Sequence, residues 1–211
     1  MHKLFLIVSA LFIGILLKAQ YTGYSPVADP AKFKVDFSAA TQKTLSIKSD
    51  FVQEKNLTML SEKITSKGKF WFKKESKVRM EYSQPYEYLM ILNKDRVFIK
   101  DGQKENKIST RTNKLFQQIN KIMIDCMQGT ALNNPDFTTR VFENKMNSLI
   151  ELTPLTRGMK EMFKSIHVIV DRKDFSVSSI EMLEVSDDNT LFRFTNKELN
   201  AAIPDSLFTI K

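Results

Sequence analysis

Two histidines and one cysteine are the only imidazole and thiol groups that this 211-residue chain offers for nucleophilic or metal-ligand chemistry. His2 falls in an apolar N-terminal segment, which leaves His167 and Cys126. One histidine and one cysteine make neither an ordinary zinc site nor a Cys–His pair unless they meet in space. His167 alternates within Ser165-Ile166-His167-Val168, where a satisfied strand histidine is the simpler reading. Asp187-Asp188 is a carboxylate pair, but Asn189 follows it and the three together read as a turn. The chain has no G-x-S-x-G, no Walker loop and no paired-glycine cofactor loop, and six glycines leave little material for a phosphate cradle. We therefore assign no catalytic residue, no metal ligand and no cofactor, and read the chain as a non-enzyme.

The unusual chemistry lies in the apolar residues. Sixteen phenylalanines and ten methionines accompany a single tryptophan. Methionine is flexible and polarizable and adapts to varied apolar ligands. Composition alone nevertheless favours an ordinary core rich in Phe and Met. The most informative stretch is residues 68–85. Gly68, Phe70 and Phe72 fall on one face of a strand, with Lys69, Trp71 and Lys73 on the other. After a polar turn at Lys74, Glu75 and Ser76, Val78, Met80 and Tyr82 alternate with Lys77, Arg79 and Glu81, and Pro85 ends the run. This is a hairpin with one apolar and one cationic face.

The elements around it are legible. Lys3 and the 14 apolar residues 4–17 form an export signal, too short to span a membrane, with cleavage expected near Ala19 or Gln20. The remainder, residues 21–211, is expected to be one domain with a substantial core. No cysteine follows the apolar run, so lipidation of the protein itself is not expected. Net charge falls from +8 to about +6 once Lys3 and Lys18 leave. Most lysines alternate with apolar residues as a solvated strand face, and nothing resembles a nucleic-acid patch. A first-turn Pro30 with Asp29 as cap, then Phe33, Phe37, Ala40 and Thr44, predicts a helix over 31–45. Leu115, Ile119, Ile122, Met123, Cys126 and Met127 predict a second helix over 115–127, ended by Gly129. Strands are expected over 47–55, through the 68–85 hairpin, at 86–92, 96–100 and 103–110, then at 137–143, 148–153, 162–170, 175–185 and 190–195, with a short last strand at 207–211. About ten or eleven antiparallel strands at this spacing mean a barrel, a half-barrel or a sandwich.

The 68–85 hairpin resembles the signature of the periplasmic carriers that move lipoproteins to the bacterial outer membrane, G-x-F-x-[ILVF]-K-R-P…F-R-W-x-Y…P. Further segments match in the same order. Ser49-Asp50-Phe51-Val52-Gln53 stands where the family has A-x-F-x-Q. Leu149 to Pro154 resembles L-x-L-x-P-K, Ile166 to Asp171 resembles I-x-L-x-V-D, and Thr190 to Asn196 resembles T-x-I-x-F. Each motif alone is weak; their shared order over roughly residues 33–211 makes the resemblance specific, and it reverses the weighting given by composition. The chain also departs from the pattern. The family's turn arginine, linked to lid closure and release, and the proline after it are Lys74 and Glu75 here, and Val78 and Met80 replace the aromatics flanking Arg79.

The resemblance implies a mainly β, incomplete antiparallel barrel with an α-helical lid, and a periplasmic carrier that shields acyl chains between inner and outer membrane. It implies a cavity lined by Phe51, Phe70, Phe72, Val78, Met80, Tyr82, Met90, Ile119, Met123 and Met127, with facing taken from alternation. Lys74 and Arg79 would contact the lid, a cargo head group or a partner. Implied partners are acylated lipoproteins or other lipids, an inner-membrane release complex and an outer-membrane acceptor, with the protein as a monomer and no nucleic acid. Two other readings stay open: a carrier of a different lipid, such as a glycolipid or pigment precursor, and a half-barrel sensor or scaffold that binds a protein.

Overall fold

Alternation in the sequence becomes one large antiparallel sheet in the computed structural model, which describes residues 21–74, 76–94, 96–109 and 114–210. The expected export signal lies outside the described residues. Among them, twelve strands, the first of them β1 (Ser25–Pro26), run in the order β1-β8-β9-β10-β11-β12-β2-β3-β4-β5-β6-β7, so β1 and β7 are free edges and the sheet is not closed. Two meanders compose it. β2 (Ser46–Leu57), β3 (Glu62–Lys73), β4 (Lys77–Gln84), β5 (Tyr88–Asn93), β6 (Arg96–Asp101) and β7 (Lys104–Ser109) form the first. β8 (Phe137–Glu143), β9 (Asn147–Pro154), β10 (Phe163–Asp171), β11 (Val177–Glu184) and β12 (Asn189–Leu199) form the second, and β12 pairs with β2 to join them. Helix α1 (Pro30–Lys43) precedes the first meander, α2 (Lys114–Gln128) connects the two, and a single turn, α3 (Arg157–Lys160), links β9 to β10.

α1 starts as its sequence dictates. The Asp29 side chain accepts from the Lys32 amide at 2.9 Å, and Pro30 occupies the first turn, where its missing donor costs nothing. Phe33, Phe37 and Thr41 form its buried stripe. Phe33 and Phe37 join Ile122, Met123, Cys126 and Met127 of α2 and the inward residues of β2 to β6 and β8 to β12 in one continuous apolar cluster. The sheet therefore wraps around the two helices, and these act as its lid.

A glycine permits one close approach inside the cluster. Gly68 of β3 lies between Phe51 of β2 and Tyr82 of β4, whose rings meet edge-on at 4.9 Å across it. A Cβ on Gly68 would stand 2.8 Å from the Phe51 ring and 2.0 Å from the Glu81 carbonyl oxygen. Gly68→Ala is expected to lower stability by about 1–3 kcal/mol, the usual cost of overpacking, measured as a shift in the urea midpoint. An unchanged midpoint would mean that the ring contact does not depend on the missing side chain.

Three expectations are corrected. Strands number twelve rather than ten or eleven, since Ser25 and Pro26, where no strand was expected, pair with Glu143 and Phe142 as the short edge strand β1. The loop expected around residues 56–62 shrinks to a tight turn with a 3-10 segment, Thr58–Leu60, because all twelve residues of β2 and of β3 find partners. The expected last strand is a 3-10 turn, Asp205–Phe208. There, Phe208 is fully buried in a second cluster with Trp71, Ile91 and Ile203 on the outer face of the sheet. Side chains replace a strand ladder: Arg79 donates to the Leu207 carbonyl at 2.9 Å and Asn93 to the Phe208 carbonyl at 3.0 Å.

Candidate functional site

The register decides which side chains share the inner face. Phe51 pairs with Gly68 and Gly68 with Tyr82; Ser49 pairs with Phe70 and Phe70 with Met80; Ile47 pairs with Phe72 and Phe72 with Val78. Met80 pairs in turn with Met90. Of the ten residues expected to line a cavity, Phe51, Phe70, Phe72, Val78, Met80, Met90, Met123 and Met127 lie together in the inner cluster, between 0 and 7 % exposed. Tyr82 is partly buried against the same cluster, and its hydroxyl donates to Gln53 at 2.7 Å. Ile119 belongs to α2, but its side chain is outside the described residues.

The expected lining left out the aromatic residues that bring the lid to the sheet, although Phe33 and Phe37 were already marked as the apolar stripe of the first helix. Phe33 and Phe37 stack at 5.9 Å, and Phe175, at the turn between β10 and β11, meets them edge-on at 5.7 and 6.0 Å. Phe192 and Phe194 of β12 extend the aromatic lining beside Phe51 and Phe70. Alternation in 190–195 marked both as a strand face; nothing local showed that this face meets β2. The described side chains of both helices pack into the hollow. Cys126 is fully buried in it, and burial pushes its thiol pKa far up, away from reactivity.

Lys74 and Arg79 go to different places. The Lys74 ammonium donates to the Gln42 carbonyl in the last turn of α1, and its backbone amide donates to the Leu45 carbonyl at 2.9 Å. It thus ties the tip of the β3–β4 hairpin to a lid helix; Glu75, its neighbour in the departed motif, lies outside the described residues. Arg79 is on the outer face instead. It pairs with Glu81, lies over the Trp71 ring at 5.9 Å and holds the C-terminal segment through Leu207. Alternation had already separated Arg79 from Val78 and Met80; the side of the sheet that carries the lid was the missing fact.

The outer face also holds a polar cluster. His167 Nε2 is 3.1 Å from the Tyr21 hydroxyl and its Nδ1 is 3.4 Å from Glu181. Arg140 donates to Glu151, which is 5 % exposed, at 2.5 Å. The His167 hydrogen bond is the main cause that holds the Glu181 carboxyl below its ordinary range. Tyr21 also packs edge-on to Phe142 at 4.9 Å. The N-terminal strap is thereby fastened to the outer face before it turns inward through β1 to α1. Among the described residues no group of His, Cys, Asp and Glu is arranged to hold a metal, and no helix is long and apolar enough to cross a membrane.

Comparison with known proteins adds to this geometry. The chain resembles a crystal structure of MucB at 15% identity, with 89% of this chain and 65% of that chain covered and a TM-score of 0.53. It therefore spans slightly less than two thirds of MucB. An uncharacterized conserved protein from Thermus thermophilus aligns at 8% identity over 87% of this chain and 95% of its own, with a TM-score of 0.51. A LolA superfamily protein from Nitrosomonas europaea aligns at 11% identity over 87% and 99%, with a TM-score of 0.48. Such identities speak for the fold alone. Comparison with curated protein sequences gives no significant match. The family model described as outer membrane lipoprotein carrier protein LolA matches residues 42–211, from the end of α1 through every strand from β2 to β12, and the chain belongs to that family.

Proposed function

We propose that the protein is a periplasmic carrier that takes up the acyl chains of lipoproteins at the inner membrane and delivers them to the outer membrane. The observation that carries this reading is the single apolar cluster formed by the inner face of the open sheet with Phe33, Phe37, Met123 and Met127 of the two lid helices. If α1 and α2 move outward, the surface they uncover is the surface an acyl chain needs. Transfer of a methylene from water is worth about 0.8 kcal/mol, so a 16-carbon chain carries on the order of 12 kcal/mol against crossing the periplasm unshielded. Phe and Met side chains re-pack with little loss, which suits a site that must open, fill and release.

Lys74 is the latch on this reading. A lysine ammonium lacks the fixed fork of the family's usual arginine and holds a helix-end carbonyl less rigidly. The contact is exposed, so Lys74→Ala should change stability by no more than about 1 kcal/mol. The same change should speed exchange of a bound fluorescent acyl probe severalfold, as read by stopped flow. Equal exchange rates would remove Lys74 from the gate.

Mass spectrometry of lipid that co-purifies with the exported protein tests the reading as a whole. Triacylated peptide supports lipoprotein carriage, and a free glycolipid or pigment precursor would favour the carrier of a different lipid. A protein partner with no lipid would favour a sensor or scaffold. No catalytic role is proposed for any residue.

A further inference from the structure

Two buried hydroxyls face the hollow without a partner. Ser49 Oγ and Ser148 Oγ are on residues 3 % and 1 % exposed, and neither makes a hydrogen bond among the described residues. Ser49 shares its face with Ile47 and Phe51, and Ser148 shares its face with Ile150 and Leu152, all four in the inner cluster. A third polar group lies between them along the sheet. Lys197 of β12 is half-buried, and its ammonium donates to Ser176 Oγ at 2.6 Å and Ser178 Oγ at 3.1 Å. Among the described residues no carboxylate reaches it within ion-pair distance; Asp171 and Asp174 of the β10–β11 turn act on it only through space.

The register sets these groups at one level. Ser148 pairs with Val170, and Val170 with Val177, next to Ser176 and Ser178. Ser49 lies opposite the irregularity in β12 between Thr195 and Glu198 that carries Lys197. Phe175, adjacent to Ser176, packs against Phe33 and Phe37 of α1. A row of polar groups on β9, β11, β12 and β2 therefore shares one level at the end of the hollow that α1 covers, with Val170 and Val177 between Ser148 and the Lys197 cluster. A cation in such a place is not explained by acyl chains, which need none.

We propose that this row binds the polar head of an acylated ligand and selects an anionic one, a carboxylate or a phosphate, with Lys197 as the charge and Ser49 and Ser148 as hydrogen-bonding hydroxyls. The inference rests on the carrier reading and names the chemistry of its cargo. Burial pushes the Lys197 pKa below its ordinary value, and an anion brought under α1 would supply the missing counter-charge. A hydrogen bond to a charged group is stronger than one between neutral groups, and inside a dry site it is screened little.

Titration calorimetry of the purified protein with myristate, 1-myristoyl lysophosphatidate and monomyristoylglycerol tests this. The three share one acyl chain and differ in the head. At least one anionic ligand should bind about tenfold tighter than the neutral one, the discrimination expected of one charge-assisted contact. Lys197→Met should abolish that preference without weakening monomyristoylglycerol, and Lys197→Arg should keep it. The double variant Ser49→Ala, Ser148→Ala should weaken all three ligands a few-fold while leaving thermal stability at or above the wild-type value, since it removes two partnerless hydroxyls. Which anion binds tells a free fatty acid from a phospholipid head. Equal binding of all three, absence of binding by all three, or a preference that survives Lys197→Met overturns this inference; the carrier reading stands or falls separately, on the lipid that co-purifies with the protein.

Discussion

Gly129→Ala will push the two lid helices apart. Gly129 ends α2 at a φ of +73°, a conformation that a Cβ disfavours, and it abuts the buried Thr41 of α1. A Cβ built there would stand 2.0 Å from Thr41 Oγ1 and 2.6 Å from Thr41 Cβ. Thr41 cannot easily turn away, because its hydroxyl donates to the Phe37 carbonyl at 2.7 Å and the residue is 5 % exposed. The α2 side cannot shift freely either: Asp125 near its end accepts from Thr130 Oγ1 at 2.9 Å and Asn134 at 2.6 Å. The backbone penalty is about 1 kcal/mol and overpacking adds roughly 1–3 kcal/mol, so a loss of about 2–4 kcal/mol is expected in urea denaturation. The displaced helices should also expose the inner face, read as increased binding of a hydrophobic dye. Adding Thr41→Gly should relieve the clash but not the backbone cost, and the cycle separates the two. A Gly129→Ala protein with wild-type stability and dye binding would show that the helices do not meet at this point.

Arg140→Ala should be the most damaging change on the outer face, and acid should partly repair it. Burial alone would push the Glu151 carboxyl up; the Arg140 hydrogen bond and charge, with the Tyr21 hydroxyl close by, outweigh burial and hold it below 4.5. The charged carboxylate therefore contributes stability above its unfolded-state value, and that contribution is lost as pH falls through the lower folded value. Without the guanidinium, burial is unopposed by its strongest partner and the folded value rises above the unfolded one. The penalty in the variant is then full at neutral pH and shrinks as pH falls through the raised value, because a protonated carboxyl needs no counter-charge. A fully buried pair broken on one side costs about 3–5 kcal/mol; Arg140 is half-exposed, so about 2–3 kcal/mol at pH 7 is expected. Urea midpoints at pH 7.5 and pH 5 measure the gap between variant and wild type. A gap that widens on acidification would contradict the assignment.

Residues 68–82 show how far the sequence reaches. The apolar face of Gly68, Phe70, Phe72, Val78, Met80 and Tyr82 and the opposite face of Trp71 and Arg79 are both present as inferred, because alternation is a property of a single strand. The helices over residues 30–43 and 114–128 were equally legible, since their caps and apolar stripes are local too. The open antiparallel sheet with a helical lid followed from motifs in a shared order. Clustering on the inner face is what the structure shows for the expected lining residues other than Ile119; their contact with an acyl chain remains the proposal.

Arg79 shows where local patterns stop. Its face was known, yet only the pairing of β12 with β2 and the seat of α1 and α2 decide which side of the sheet is the hollow and which receives the C-terminal segment. The same non-local pairing brings Lys197 level with Ser49, 148 positions away, and the pairing of β1 with β8 brings Tyr21 to His167, 146 positions away. A strand carries its own two faces in its residues, whereas which face is enclosed depends on partners distant in the chain, and those are chosen by the packing of the whole.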